Sequence, residues 1–189
     1  MIRIALVGDI GSGKSYFAKL FGYPVFDADT AVAEIYKKNK SCYKLIKKKL
    51  PNFFSSFPLK KNELIKCILS NKTNIKKITK IVHPLVRKKM DFFIKKNKDK
   101  KFVILDIPLF LENRLSKKDD VIIFIQSPQK KITERLLKRK NYNKLLIKKL
   151  KGIQLPLQIK KKKSNFIINN TFKSKKATKD INNILKVII

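Results

Sequence analysis

This chain of 189 residues has little acid, little glycine and almost no cysteine or histidine. Cys42 and Cys67 are the only cysteines and form no C-x-x-C pair. That excludes a disulfide framework and reads as two reduced thiols in a cytoplasmic protein. No apolar run approaches the roughly 20 residues of a membrane span. The amino terminus runs straight into an apolar strand, with no charged region, apolar core and cleavage site, so no signal peptide is expected. No internal repeat and no linker divides the chain. With 43% hydrophobic residues it can build one domain with a proper core and a small insert.

The shortage of acid leaves a large excess of positive charge. Lys and Arg number 47 against 13 Asp and Glu, a formal net charge of +34. All but Arg3, Arg87, Arg114, Arg135 and Arg139 of the basic residues are lysine. One reading is binding to nucleic acid or to a membrane surface through phosphates. The other is a general drift toward lysine, and the distribution favours it. The lysines are spread along most of the chain, and no aromatic-plus-basic pattern of single-strand stacking stands out. Specific nucleic-acid binding is therefore not expected, although any small polyanion would be attracted.

Three of the five glycines, Gly8, Gly11 and Gly13, fall within Gly8-Asp9-Ile10-Gly11-Ser12-Gly13-Lys14-Ser15. The stretch fits G-x-x-x-x-G-K-[ST] between an apolar, β-branched run (2–7) and a helical pattern (14–21). Such a loop curls its amides around phosphate oxygens. The following helix start adds partial positive charge. Lys14 is expected at the β- and γ-phosphates of a nucleotide and Ser15 on Mg²⁺. The nucleotide-binding set is Gly8, Asp9, Ile10, Gly11, Ser12, Gly13, Lys14, Ser15 and Tyr16.

Downstream, a short strand at Val25-Phe26 delivers Asp27-Ala28-Asp29 to a strand end, where open α/β sheets place ligands. Asp29 can accept a proton from an attacking hydroxyl, and Asp27 can order it or bind metal through water. Either can instead cap a helix over 30–50. Further helices are expected over 61–70 and 75–96, the latter interrupted at His83-Pro84. A lone histidine before proline reads first as a structural hydrogen-bonding group. Phe102–Asp106 reads as a buried strand ending on an acid, the form that holds Mg²⁺ or its water. A short helix is expected after Pro108, with Glu112 facing the site or in a surface pair. A strand at 121–125 precedes a helix from Pro128, at its first position, to about Lys140, which places Arg135 and Arg139 on one face with forks suited to phosphate. The lysine-rich stretch 141–163 reads as a helical flap, 166–169 as the last strand and 177–187 as the closing helix.

Taken in order, G-D-I-G-S-G-K-S (8–15), P-V-F-D-A-D (24–29), H-P-L-V-R (83–87), D-I-P-L-F-L-E-N (106–113), R-L-L-K-R (135–139), Gln154 and F-I-I-N-N (166–170) resemble the dephospho-CoA kinase family. The resemblance implies an α/β P-loop NTPase fold, three layers around a five-stranded parallel sheet, with a helical substrate-binding insert and a lid. The corresponding division is 1–29, 100–140 and 164–189 for the nucleotide-binding core, 30–99 for the helical part and 141–163 for the lid. It implies ATP and Mg²⁺ as cofactors and dephospho-coenzyme A as acceptor; a cytoplasmic protein is expected, and a monomer over an oligomer. By the same resemblance the catalytic set is Asp29, Lys14, Arg135 and Arg139. Asp27, Asp29, His83, Pro84, Leu85 and Glu112 are the substrate-binding set, and Ser15 and Asp106 the metal set. The sequence departs from the family pattern at Asp9, Lys140 and Ser164-Asn165. Two other readings are a kinase for another nucleoside or nucleotide and a basic, nucleotide-switched P-loop protein that binds nucleic acid.

Overall fold

The computed structural model describes residues 1–140 and 142–188, with the Lys72 side chain left aside. Asn141, the first residue of the expected lid segment, lies outside the described residues. The chain divides into two compact units. The sheet unit holds Met1–Asp27, Asn97–Tyr142 and Ile153–Ile189; the helical unit holds Ala28–Lys96 and Asn143–Gly152. The expected lid stretch is thus shared between them, 143–152 with the helices and 153–163 with the sheet.

Five strands form the sheet: β1 (Ile2–Gly8), β2 (Val25–Asp27), β3 (Phe102–Asp106), β4 (Val121–Gln126) and β5 (Phe166–Asn169). They are all parallel, in the order β2-β3-β1-β4-β5. Their near-continuous Val, Ile, Leu and Phe runs suit a parallel sheet covered on both faces. α1 (Lys14–Leu20) and α9 (Ser174–Ile188) bury Phe17, Ala18, Ala177, Ile181 and Ile184 against Ile4, Leu6, Ile104, Ile123 and Ile125. α6 (Gln129–Leu137) and α8 (Leu157–Lys162) complete this unit. Ile132 of α6 and Leu157 of α8 line a cavity with Phe124, whose side chain alternates to the opposite face from Ile123 and Ile125.

The helical unit contains α2 (Ala28–Lys38), α3 (Lys40–Lys49), α4 (Lys61–Ser70), α5 (Lys72–Lys96) and α7 (Lys144–Lys151). Its core joins Ile35, Cys42, Ile46, Leu50, Phe54, Leu64, Cys67, Ile78 and Val82. Lys149 of α7 donates to the carbonyls of Ile68 and Leu69 at the end of α4, at 2.9 and 2.6 Å. There a cation also complements the helix dipole.

Several local expectations are corrected. The single helix over 30–50 is two, because the Asn39 side chain accepts from the Cys42 amide at 2.8 Å and caps a new helix. The helix over 75–96 is not interrupted: α5 runs through Pro84, held by a face that buries Ile78, Val82 and Met90. Residues 108–114 form successive turns, not a helix, and Arg114 there has φ 50°. α6 ends at Leu137, so Arg139 lies in the turn beyond it and shares no helix face with Arg135. Pro128 sits at the cap, one residue before the first helical position.

Candidate active site

The site is built from the carboxyl ends of β1, β2 and β3. β1 stops at Gly8, where the loop turns back on itself. Gly8 has φ 150°, and a Cβ on it would lie 2.7 Å from the Ile125 carbonyl oxygen and 2.9 Å from Ser12 Oγ. Gly13 caps α1 at φ 100°, and a Cβ there would lie 2.8 Å from Asn170 Nδ2. Both positions combine a left-handed backbone with no room for a side chain, so only glycine serves. The loop is fastened from outside: the Ser12 carbonyl accepts from Ser127 Oγ at 2.7 Å and from Asn170 Nδ2 at 2.9 Å.

Lys14 is almost buried, and its ammonium donates to the Asp9 carbonyl at 2.8 Å. A buried ammonium at the loop places positive charge where an anion can bind. Ser12 Oγ is fully buried without a partner. An orphaned hydroxyl, a cationic ammonium and a glycine-lined concavity together fit a bound polyphosphate. Asp9 accepts from the Ile10 amide at 2.7 Å through Oδ1 and is nearly buried, so this acid helps shape the loop.

Asp27 and Asp106 stand side by side, paired in the β2–β3 register. Burial pushes the Asp106 carboxyl above its usual range; a hydrogen bond from Ser15 and the charge of Lys14 oppose that, and Asp27 adds to it. Ser15, Lys14, Asp27 and Asp106 therefore converge. A hydroxyl and hard carboxylate oxygens suit Mg²⁺. No group of three or more His, Cys, Asp or Glu that could hold a metal occurs among the described residues.

The remaining expected residues are each placed within their own unit. Asp29 lies exposed in the first turn of α2, in the helical unit. The strand ends at Asp27 and the helix starts at Ala28, so the two acids do not project as a strand pair. His83 is half-buried within α5, and burial together with Arg87 lowers its pKa. Pro84 is exposed, and Leu85 packs partly against the helical core. Glu112 is in no surface pair: it accepts from buried Lys160 at 2.8 Å and from the Leu155 amide at 2.9 Å, and Lys160 also donates to Gln154 at 3.0 Å. Arg135 is exposed, with its guanidinium 5.0 Å over the Phe172 ring. Tyr16 packs edge-on against Phe17.

Sequence reasoning missed Ser127, Asn170, Lys160 and Phe172. Asn170 carried a signal, as a polar residue just past an apolar strand. Lys160 carried none, being one of four consecutive lysines. Of the departures from the family pattern, Asn165 accepts from the Ile122 amide at 2.8 Å and its amide donates to the Ile122 carbonyl at 2.8 Å, so it registers β5 on β4. Ser164 Oγ donates to the Lys160 carbonyl at 2.8 Å.

The chain is similar to curated dephospho-CoA kinases of Wolbachia pipientis wMel, 35% identical with 89% of this chain and 88% of that protein covered. A second relative is the dephospho-CoA kinase of the Wolbachia of Brugia malayi, 33% identical over 96% and 95% of the two chains. Among solved structures, TT1252 from Thermus thermophilus superposes with a TM-score of 0.78 at 25% identity, covering 98% of this chain and 96% of that one. The family model described as dephospho-CoA kinase matches residues 2–176. With a phosphate loop, paired acids at neighbouring strand ends and these relatives over nearly its whole length, the chain belongs to the dephospho-CoA kinase family.

Proposed function

We propose that this chain transfers the γ-phosphoryl group of ATP to the ribose 3′-hydroxyl of dephospho-coenzyme A, giving coenzyme A and ADP in the last step of coenzyme A formation. The observation that carries it is the convergence of Lys14, Ser15, Asp27 and Asp106 at the end of a glycine-built loop, in a chain of this family.

The acceptor oxygen forms a bond to the γ-phosphorus while the bond from phosphorus to the β,γ-bridging oxygen breaks. Asp29 takes the hydroxyl proton and orients the nucleophile. Lys14 leaves the loop carbonyls for the β- and γ-phosphate oxygens and neutralises charge that spreads over them in the transition state. Arg135 and Arg139 add donors from beyond the loop. Ser15 and Asp106 would hold Mg²⁺, which would supply positive charge against the phosphate oxygens. Asp27, Glu112 and His83-Pro84-Leu85 belong to the acceptor side of this reading. The enzyme works as a monomer in the cytoplasm, where Cys42 and Cys67, both buried and free, stay reduced.

The test is a panel of acceptors with ATP consumption as readout. Dephospho-coenzyme A is expected to exceed nucleosides and nucleoside monophosphates in kcat/KM; a preference for a monophosphate reverses the assignment. Asp29→Asn is expected to lower kcat by roughly 100-fold or more with ATP affinity retained. Full activity in that variant would remove Asp29 from the mechanism. Lys14→Ala is expected to lower kcat/KM by about 10³-fold, as for loss of a preorganised charge on the transition state.

A further inference from the structure

Beyond the phosphate loop, two non-glycine residues, Arg114 and Phe172, take left-handed backbone, and the second lies beside the loop. Phe172 has φ 62°, in the left-handed region that bulky residues avoid and glycine adopts freely. A conformation of that kind persists where the surroundings over-determine it, and such outliers gather at functional sites. Two contacts fix it here. The Phe172 amide donates to Asn170 Oδ1 at 2.9 Å, and the same Asn170 donates through Nδ2 to the Ser12 carbonyl at 2.9 Å. The side chain that holds the phosphate loop therefore also holds the turn that carries Phe172.

The ring has one identified partner of chemical interest. The Arg135 guanidinium carbon stands 5.0 Å from its centroid, within cation–π range. Arg135 also borders the loop, since a Cβ on Gly13 would come 3.8 Å from its Nη1. The apolar cluster on that face of the sheet takes Ala177, Ile181 and Ile184 from α9 and does not include Phe172. Arg135 is otherwise a long, exposed side chain with many rotamers, and a fork that must meet a phosphoryl group gains from being fixed beforehand.

We propose that Phe172 is a positioning residue: its ring holds the Arg135 guanidinium beside the phosphate loop, and Asn170 couples that placement to the loop itself. This rests on the phosphotransfer reading through the role of Arg135. Phosphoryl transfer is unchanged in its bonds; what the ring supplies is the prior orientation of one cation.

The experiment compares Phe172→Leu, which removes the ring and keeps the backbone demand, with Phe172→Gly, which removes both, and Phe172→Tyr, which keeps the ring. Leu and Gly are expected to lower kcat by about two- to fivefold, a cation–π contact at an exposed site expressed as a rate. KM for ATP and the ATP-to-GTP preference are expected to hold, and Tyr to match the wild type. In an Arg135→Ala background the Leu substitution is expected to cost nothing more. Phe172→Gly is expected to melt at or above the midpoint of Phe172→Leu, which separates lost activity from lost fold. An equal loss in the Arg135→Ala background overturns the proposal. So does a loss carried by KM for ATP or by a changed base preference, which is the mark of a ring that stacks on the nucleotide base. Unchanged kcat in Leu and Gly overturns it too. The same cycle is read on slow ATP hydrolysis without acceptor. An enzyme that fails on dephospho-coenzyme A then overturns the acceptor assignment alone, while the Arg135–Phe172 coupling is still measured.

Discussion

The sheet unit and the helical unit share one excess of lysine, yet among the described residues only the sheet unit buries acids. In the sheet unit some acids go inward: Asp120 takes Arg3 Nε at 2.7 Å, Glu112 takes Lys160, and Asp9 and Asp106 are nearly buried at the site, while Asp99 and Asp119 stay exposed. In the helical unit only Asp29, Glu34, Glu63 and Asp91 are acidic, and each is exposed or half-exposed. Its core is apolar, Ile, Leu, Val, Phe and two cysteines. The helical unit is thus held by area removed from water and by caps such as Asn39, which tolerate variation in detail. Around its nucleotide site the sheet unit is held by directional contacts between named polar groups. Where chemistry needs loops at fixed positions, buried polar contacts supply the geometry that apolar packing does not.

The largest break in that contrast should come at Lys160. Lys160→Met leaves Glu112 buried without its cation and Gln154 without a donor. Removing one partner of a buried pair costs about 3–5 kcal/mol, which for a chain of this size lowers the melting midpoint by roughly 10 °C. Adding Glu112→Gln removes the stranded charge while keeping an oxygen for the Leu155 amide, so the double variant should recover most of the loss. Thermal unfolding of the three variants checks it. A double variant as unstable as the single one would show that the pair acts through shape and not charge.

That pair also marks the limit of what the sequence discloses. β1, β3, β4 and β5 were legible as apolar runs bounded by turn residues, and α4 from its periodicity. Gly8–Ser15 and the acid at the end of β3 were legible because few backbones other than a phosphate loop need that spacing of glycines. Asn39 was hidden because apolar spacing continues across it, and only the capped amide of Cys42 reveals the break. Pro84 misled because its lost hydrogen bond is outweighed by the buried face of α5. Arg139 seemed to sit on one helix with Arg135 because nothing in Lys138-Arg139-Lys140 signals an end. Lys160 is chemically identical to its neighbours, and Phe172 acquires meaning only through a dihedral angle. Both depend on chain placed far away in sequence.

A smaller effect, of opposite sign, is expected at Asp106. Its folded pKa is raised, chiefly by burial, so its contribution favours folding below the unfolded carboxylate range and is lost as pH rises through the folded value. At pH 7 the ionised side chain therefore weakens the fold. Asp106→Asn keeps an acceptor for Ser15 and should stabilise the free protein at pH 7. The gain should vanish below about pH 4, where both side chains are neutral. Activity should move the other way, with more Mg²⁺ needed for half-maximal rate. Midpoints at pH 4 and 7 beside a Mg²⁺ titration check both. Equal gains at the two pH values would mean that burial of charge is not the cause.

The smallest effect sharpens the contrast from the helical side. Lys89 and Glu34 pair at 2.7 Å across α5 and α2, both largely exposed. Glu34 is held below its usual range first by the hydrogen bond and charge of Lys89 and then, after a small opposing burial effect, by Lys38. Exposed pairs stabilise little, so Lys89→Ala should move the midpoint by less than about 1 °C. It also removes one cation from a chain of net charge +34, which offsets the lost attraction. Glu34→Ala does the reverse: it loses the same pair and leaves Lys38 and Lys89 facing each other's field. At low ionic strength Glu34→Ala should therefore be the more destabilising of the two. The difference should fade at high salt, where screening reaches only a few ångströms, and below the titration of Glu34, where the acid is neutral in either case. Midpoints of the two variants at low and high salt decide it. If Lys89→Ala proved the worse, the pair would outweigh the field around it, and the helical unit would rely on a specific ionic contact as the sheet unit does.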